Sequence, residues 1–207
     1  MNDTQRQAFK SAALLAAFAV TGSALLALAN EATRDRIAEN ERLETVRQLQ
    51  QILPAGSYDN ALLEDTLEMT LPADISRPGP DTIHLARRGD TVVAAILPVT
   101  APNGYSGAID LLLGVRRDGT IAAARVTRHR ETPGLGDGID LERSDWIRQF
   151  ADRSLNNPLR WAVDKDDGPF DSLTGATITP RAVVQAIHGA LQFVAAHRKE
   201  IFGDGRL

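Results

Sequence analysis

From Ser11 to Ala29 the chain carries no charged residue and is dominated by Ala and Leu. Such a run folds as one helix that is apolar all round. About 20 residues of this kind cross a bilayer, so the segment enters or crosses a membrane. Arg6 and Lys10 before it, and Ala27-Leu28-Ala29 at its end, also fit a signal peptide with its cleavage site. The run is longer than the usual signal core, which favours a retained anchor. Arg34, Arg36 and Arg42 after the span balance Arg6 and Lys10 before it, so the positive charges leave the orientation open.

At 207 residues the chain suits one well-buried domain behind that span and is short for two. Cysteine is absent, which excludes disulfides, thiolate catalysis, cysteine-ligated iron–sulfur clusters and an acylated lipoprotein cysteine. Any redox chemistry must therefore come from a bound organic cofactor. The histidines, His84, His129, His188 and His197, lack metal-ligand spacing and read as surface or core residues, so no metal site is expected. The net charge is −4 with Lys and Arg scattered along the chain, which gives nucleic acid no basic stripe to bind.

Residues 31–53 place Ile37, Leu43, Val46, Leu49 and Ile52 near helical spacing and end at Pro54 and Gly56, a helical stalk continuing from the span. Residues 57–80 are rich in proline and read as a loop leading into the domain. Strands are expected over 82–86 and 91–99 around a turn at 87–90. The Arg88-Gly89-Asp90 tripeptide there is a turn, not an adhesion motif. Asn103 to Gly107 reads as a flexible loop. A second hairpin follows, with strands over 108–116 and 120–128 joined at Asp118-Gly119. Next comes His129 to Gly138, whose three glycines and one proline bend the chain closely around something or form a long surface loop.

Residues 144–150 read as a helix capped by Ser144, with Trp146, Ile147 and Phe150 in the core. A short strand is expected over 156–163, followed by the charged turn 164–169, whose acids read as solvated. Val183, Val184, Ile187, Ala190, Leu191 and Val194 share one face of a final helix. The expectation is an α+β protein: membrane helix (1–30), stalk (31–56), and one domain of antiparallel sheet with flanking helices (57–207).

The stretch Asp171-Ser172-Leu173-Thr174-Gly175-Ala176-Thr177-Ile178-Thr179-Pro180 sits at the start of that helix. Thr179 before Pro180 supplies a capping hydroxyl and a preset φ. Gly175 and Ala176 clear space for backbone to approach an anion, phosphate above all, at the positive helix end. A capped helix with no ligand is the competing reading of the same spacing.

Asp171 to Thr177 resembles the flavinylation motif of bacterial FMN-binding domains: an acid, two variable residues, Ser or Thr, then Gly-Ala-Thr. Thr174 stands where Ser is frequent and keeps the hydroxyl. Together with Glu131-Thr132-Pro133-Gly134-Leu135-Gly136, Gly104-Tyr105-Ser106-Gly107 and the single span, the chain is similar to the G subunits of Rnf electron transport complexes. It is also similar to the longer C subunits of sodium-translocating NADH:quinone reductases.

The resemblance implies a periplasmic domain in which a flavin transferase esterifies the phosphate of FMN to Thr177. It implies that Asp171, Thr174, Gly175 and Ala176 are recognised by that transferase. Asp171 would bind the transferase's metal or orient the acceptor hydroxyl. Glu131, Thr132, Pro133, Gly134, Leu135 and Gly136 would line the flavin ring, where backbone amides tune its potential. The protein would then be an electron relay among the other Rnf subunits in a bacterial inner membrane, coupled to ion translocation, and not a complete enzyme. A flavin-free anchored binding or structural module is the alternative. Hydrolysis by a threonine nucleophile lacks a base near the motif.

Overall fold

The computed structural model describes residues 3–203. Residues up to Thr45 and from Val46 onward form two compact units. The first is helical: α1 runs over Asp3–Ile52 without a break. Among the described residues one helical segment, Lys10–Arg34, with mean hydropathy 2.1, is long and apolar enough to cross a membrane. Its side chains Leu14, Phe18, Leu25 and Leu28 are exposed, as lipid contact requires. Its two threonine hydroxyls are satisfied internally, Thr21 donating to the Ala17 carbonyl at 2.8 Å and Thr33 to Ala29 at 2.9 Å.

In the second unit five strands form an antiparallel meander in sequence order: β1 Thr66–Met69, β2 Asp81–Arg88, β3 Thr91–Gly104, β4 Gly107–Arg116 and β5 Ile121–Arg128. The two expected hairpins are present. Gly89 and Asp90 close the β2–β3 turn, where Arg88 pairs with Thr91. Both faces of the sheet are covered, which explains the near-continuous apolar run of β3. On one face Leu49, Ile52 and Leu53, at the end of α1, pack with Leu62, Ala94 and Ile96. On the other lies α2, Ile178–Ala196, whose Val183, Val184, Ile187, Leu191 and Val194 are buried as the periodicity predicts. The short α3, Arg198–Phe202, buries Ile201 and Phe202.

Aromatic rings fill the space beside α2. Phe150 and Phe170 stack at 4.8 Å between centroids, Trp161 lies 4.9 Å from Phe170, and Trp146 meets Phe150 edge-on at 5.4 Å. His188 stacks on Trp161, and burial pushes its imidazole below the ordinary 6.5.

Four local expectations are corrected. Residues 57–80 contain the edge strand β1, too short at four residues to show a period. The loop at 103–107 is absent as such, because β3 extends to Gly104 and only Tyr105 and Ser106 turn the chain into β4. Residues 144–150 form a single 3-10 turn, Trp146–Phe150, with the Ser144 hydroxyl accepting the Trp146 N–H. Residues 156–163 make isolated bridges and no strand, since Trp161 joins the aromatic cluster and Val163 the core in place of a sheet neighbour, and Leu159 is exposed.

Candidate functional site

Three segments far apart in the sequence meet at the N-terminal end of α2: the Tyr105–Ser106 turn, the loop Glu131 to Gly136 and the motif ending at Thr179. Their centre is Glu131, which is 4% exposed. Its Oε1 accepts the Ser106 N–H at 2.9 Å, and its Oε2 accepts the Thr179 hydroxyl. One carboxyl group thus ties all three segments together. The loop is anchored again by His129, whose Nδ1 accepts the Glu131 N–H at 3.0 Å, leaving Nε2 to donate to Asp140 at 2.8 Å.

Gly136 has no room for a side chain. A Cβ there would sit 2.8 Å from Glu131 Oε2 and 3.0 Å from Thr179 Oγ1. Gly136→Ala is therefore expected to push the clamp apart and to lower stability by about 1–3 kcal/mol. Urea denaturation measures this, and an unchanged midpoint would show that the clamp yields.

The motif begins as a braced turn. The Asp171 N–H donates to Gln149 Oε1 at 2.8 Å and its carbonyl accepts from Trp146 Nε1 at 2.6 Å, while its carboxyl is exposed and lines no cleft. Thr174 is likewise exposed, at a turn closed by the Ala176 N–H on the Leu173 carbonyl at 3.1 Å. Gly175 holds φ +78° there, the left-handed value that suits glycine, and a Cβ on it would lie 2.9 Å from Leu135 Cδ2. The two loops therefore seat on one another.

Thr177 occupies the N-cap position of α2, and its hydroxyl makes no capping hydrogen bond. This corrects the expectation that Thr179 is the cap. The helix starts two residues earlier than that, at Ile178, and Thr179 is fully buried with its hydroxyl committed to Glu131. Pro180 still falls in the first turn, where its missing N–H costs nothing. The acids at 164–166, read as solvated, also brace the motif: Asp164 accepts the Ser172 hydroxyl, and Asp166 takes two bonds of 2.6 Å from Arg181 on α2. Those hydrogen bonds hold both carboxyls below the ordinary 3.8.

Between the loops is a cleft of about 380 Å³. Thr132, Leu135 and Gly136 line it from one side and Gly175, Ala176, Thr177 and Ile178 from the other, with Tyr105 alongside. Pro133 and Gly134 belong to the loop but do not line the cleft. Among the described residues from 46 onward four large apolar side chains are exposed, and three of them, Tyr105, Leu135 and Ile178, are here; the fourth is Leu159. Tyr105 and Ile178 carry no catalytic signature of their own in the sequence, although Tyr105 lies in a stretch that carries the resemblance; their exposure in the fold marks them as part of the site.

The cleft has the size of a small-molecule site, about 300–1,000 Å³. Its donor set is the unpaired backbone N–H groups that open α2, with no acid in that first turn, which favours an anion. Its apolar rim suits the faces of a flat ring. Residues 104–192, which include the cleft, match the FMN-binding domain family. Residues 1–52 match the RnfG N-terminal region. The G subunit of the ion-translocating oxidoreductase complex of Pseudomonas aeruginosa is 44% identical over 200 residues, 96% of this chain and 94% of that protein. The corresponding protein of Escherichia coli K12 is 47% identical over 178 residues, 85% of each chain, and that of Pseudoalteromonas atlantica 42% over 195 residues, 93% and 91%. The chain belongs to the family of G subunits of Rnf ion-translocating oxidoreductase complexes.

Beside the cleft, β4 carries a charge node. Asp110 accepts both Nε (3.2 Å) and Nη2 (2.9 Å) of Arg77, Nε of Arg128 at 2.8 Å and the Thr100 hydroxyl at 3.0 Å. Burial acts to raise the Asp110 carboxyl, but the bonds from Arg128, Arg77 and Thr100 outweigh it and hold it below 3.8. A depressed folded-state value means that the stabilisation is complete above pH 3.8 and fades as pH falls through the lower folded value. Asp110→Asn is expected to cost about 1 kcal/mol at neutral pH, limited by the exposure of both arginines. Thermal unfolding across pH should show the difference from the parent protein closing below pH 3.8.

Proposed function

We propose that this chain is a membrane-anchored electron relay of the Rnf complex, with FMN joined through its phosphate to Thr177. The free Thr177 hydroxyl, at a positive helix end and opening on the cleft, carries this reading. The ester would form as the Thr177 hydroxyl loses its proton and the transferase's activated flavin donor loses the other substituent on its phosphorus, and the phosphate would then be held by the unpaired N–H groups of α2. Leu135, Gly136 and Tyr105 would hold the ring, and the backbone of Thr132 to Gly136 would offer hydrogen bonds to its polar atoms. The bound flavin supplies reversible uptake and release of electrons. The protein's own groups hold it, shield one side from water and keep the loop geometry fixed through Glu131.

The motif has two sides, which supports recognition by a maturing flavin transferase. Asp171 and Thr174 are exposed and do not line the cleft, which leaves them available to an external enzyme, while Gly175 to Thr177 line it. Lys10–Arg34 is the anchor, and the domain that follows is periplasmic, facing the complex's other subunits. Co-expression with a flavin transferase, followed by a denaturing gel under ultraviolet light, tests the proposal. A fluorescent band whose FMN maps by peptide mass spectrometry to Thr177 is expected; absence of fluorescence would sink it.

A further inference from the structure

The flavin cleft has a neighbour, a hollow of about 210 Å³ lined by Arg77, Arg128, His129 and Arg130 together with residues 106–108. The two share the Tyr105–Ser106 turn and the chain that runs from β5 into Glu131. In sequence these arginines are scattered; the register of β4 with β5 and the path before β2 bring them to one place. Asp110, which its hydrogen bonds keep ionised, takes Arg77 and Arg128, while the two other carboxylates here are committed elsewhere, Asp140 to His129 and Glu131 to the Ser106 N–H. Arg130 makes no hydrogen bond or ion pair among the described residues, and it is exposed. Arg77 and Arg128 spend Nε and Nη2 on Asp110 and keep Nη1 unengaged. Both ring nitrogens of His129 are already taken. What the hollow offers to solvent is therefore guanidinium N–H edges, on a chain whose total charge is −4.

We infer that this hollow is a docking point for carboxylates on an acidic segment of a protein partner. Planar guanidinium groups with free N–H edges match carboxylates in bidentate geometry. The arginines are 55% and 71% exposed at Arg77 and Arg128, which suits side chains arriving on another protein's surface more than a small ion enclosed by the fold. The adjoining patch of Tyr105, Leu135 and Ile178 supplies the apolar centre that protein interfaces place beside Arg and Tyr anchors. An acidic partner docked here would lie against the turn that separates hollow from cleft, and charge attraction would raise its rate of encounter. The partner's redox role rests on the relay function proposed above; the docking itself does not require flavin.

A fluorescently labelled hexaglutamate peptide, titrated by anisotropy into the full-length protein in detergent, tests this. Saturable binding that weakens as salt rises is expected. Arg130→Gln, which breaks no contact within the fold, should weaken binding about five-fold. Arg88→Gln, at the β2–β3 turn on the opposite end of the sheet, should leave it unchanged, and Thr177→Val protein without flavin should bind as the parent does. The inference is overturned if the peptide does not bind, if Arg88→Gln weakens it as much as Arg130→Gln, or if flavin-free protein loses it. It is equally overturned if inorganic phosphate binds at least as tightly with the same dependence on Arg130, for then the hollow is a small-anion site.

Discussion

Thr177→Val is expected to abolish covalent flavin while leaving the fold intact. Valine keeps the shape of threonine and removes only the hydroxyl, the one atom able to form the ester link. That hydroxyl makes no capping bond in the structure, so nothing internal is lost with it. The stability change should stay within about 0.5 kcal/mol, the range of surface substitutions away from special features. Thr177→Ser should retain fluorescence, since it keeps the nucleophilic oxygen. In-gel fluorescence and a thermal melt on the same preparations decide the matter. A Thr177→Val protein that still carries flavin would move the tether elsewhere, and one that unfolds would mean that the hydroxyl is structural after all.

The opposite outcome is expected two residues on. Thr179→Val deletes the hydroxyl that donates to Glu131 in a fully buried setting and leaves a carboxyl oxygen without its donor, at about 1–3 kcal/mol. Glu131→Ala is worse, because it strands two donors at once, the Thr179 hydroxyl and the Ser106 N–H, and opens a cavity between the loops. Its expected cost is about 2–5 kcal/mol. Urea denaturation of the flavin-free proteins reads this directly, without interference from the cofactor. If Glu131→Ala unfolds at the parent's midpoint, the clamp does not hold the site together.

The pair of predictions separates two threonines that look alike in sequence. Thr177 and Thr179 flank one isoleucine at a helix start, and the rule that Ser or Thr before proline caps a helix selects the second. Only the burial of Thr179 against Glu131, 48 residues earlier, reverses their roles. The same holds for Asp164 and Asp166, whose place in a charged turn says nothing of Ser172 or Arg181 as partners.

What the sequence determined by itself was everything set by local pattern. The uncharged run from Ser11 to Ala29 required an apolar helix. Apolar and β-branched runs on either side of the turns at Gly89-Asp90 and Asp118-Gly119 required two hairpins, and the 3.6-residue period after Pro180 required a helix with one buried face. Strand 156–163 failed because Trp161 and Val163 carry no sign of whether their neighbour is a sheet or a cluster of rings. Tertiary structure alone decided what faces what: the Glu131 clamp, the exposed rim of Tyr105, Leu135 and Ile178, and the meeting of Arg77, Arg128 and Arg130. Those contacts follow from strand register and from the burial of polar groups that must find partners, and both are properties of the folded chain as a whole.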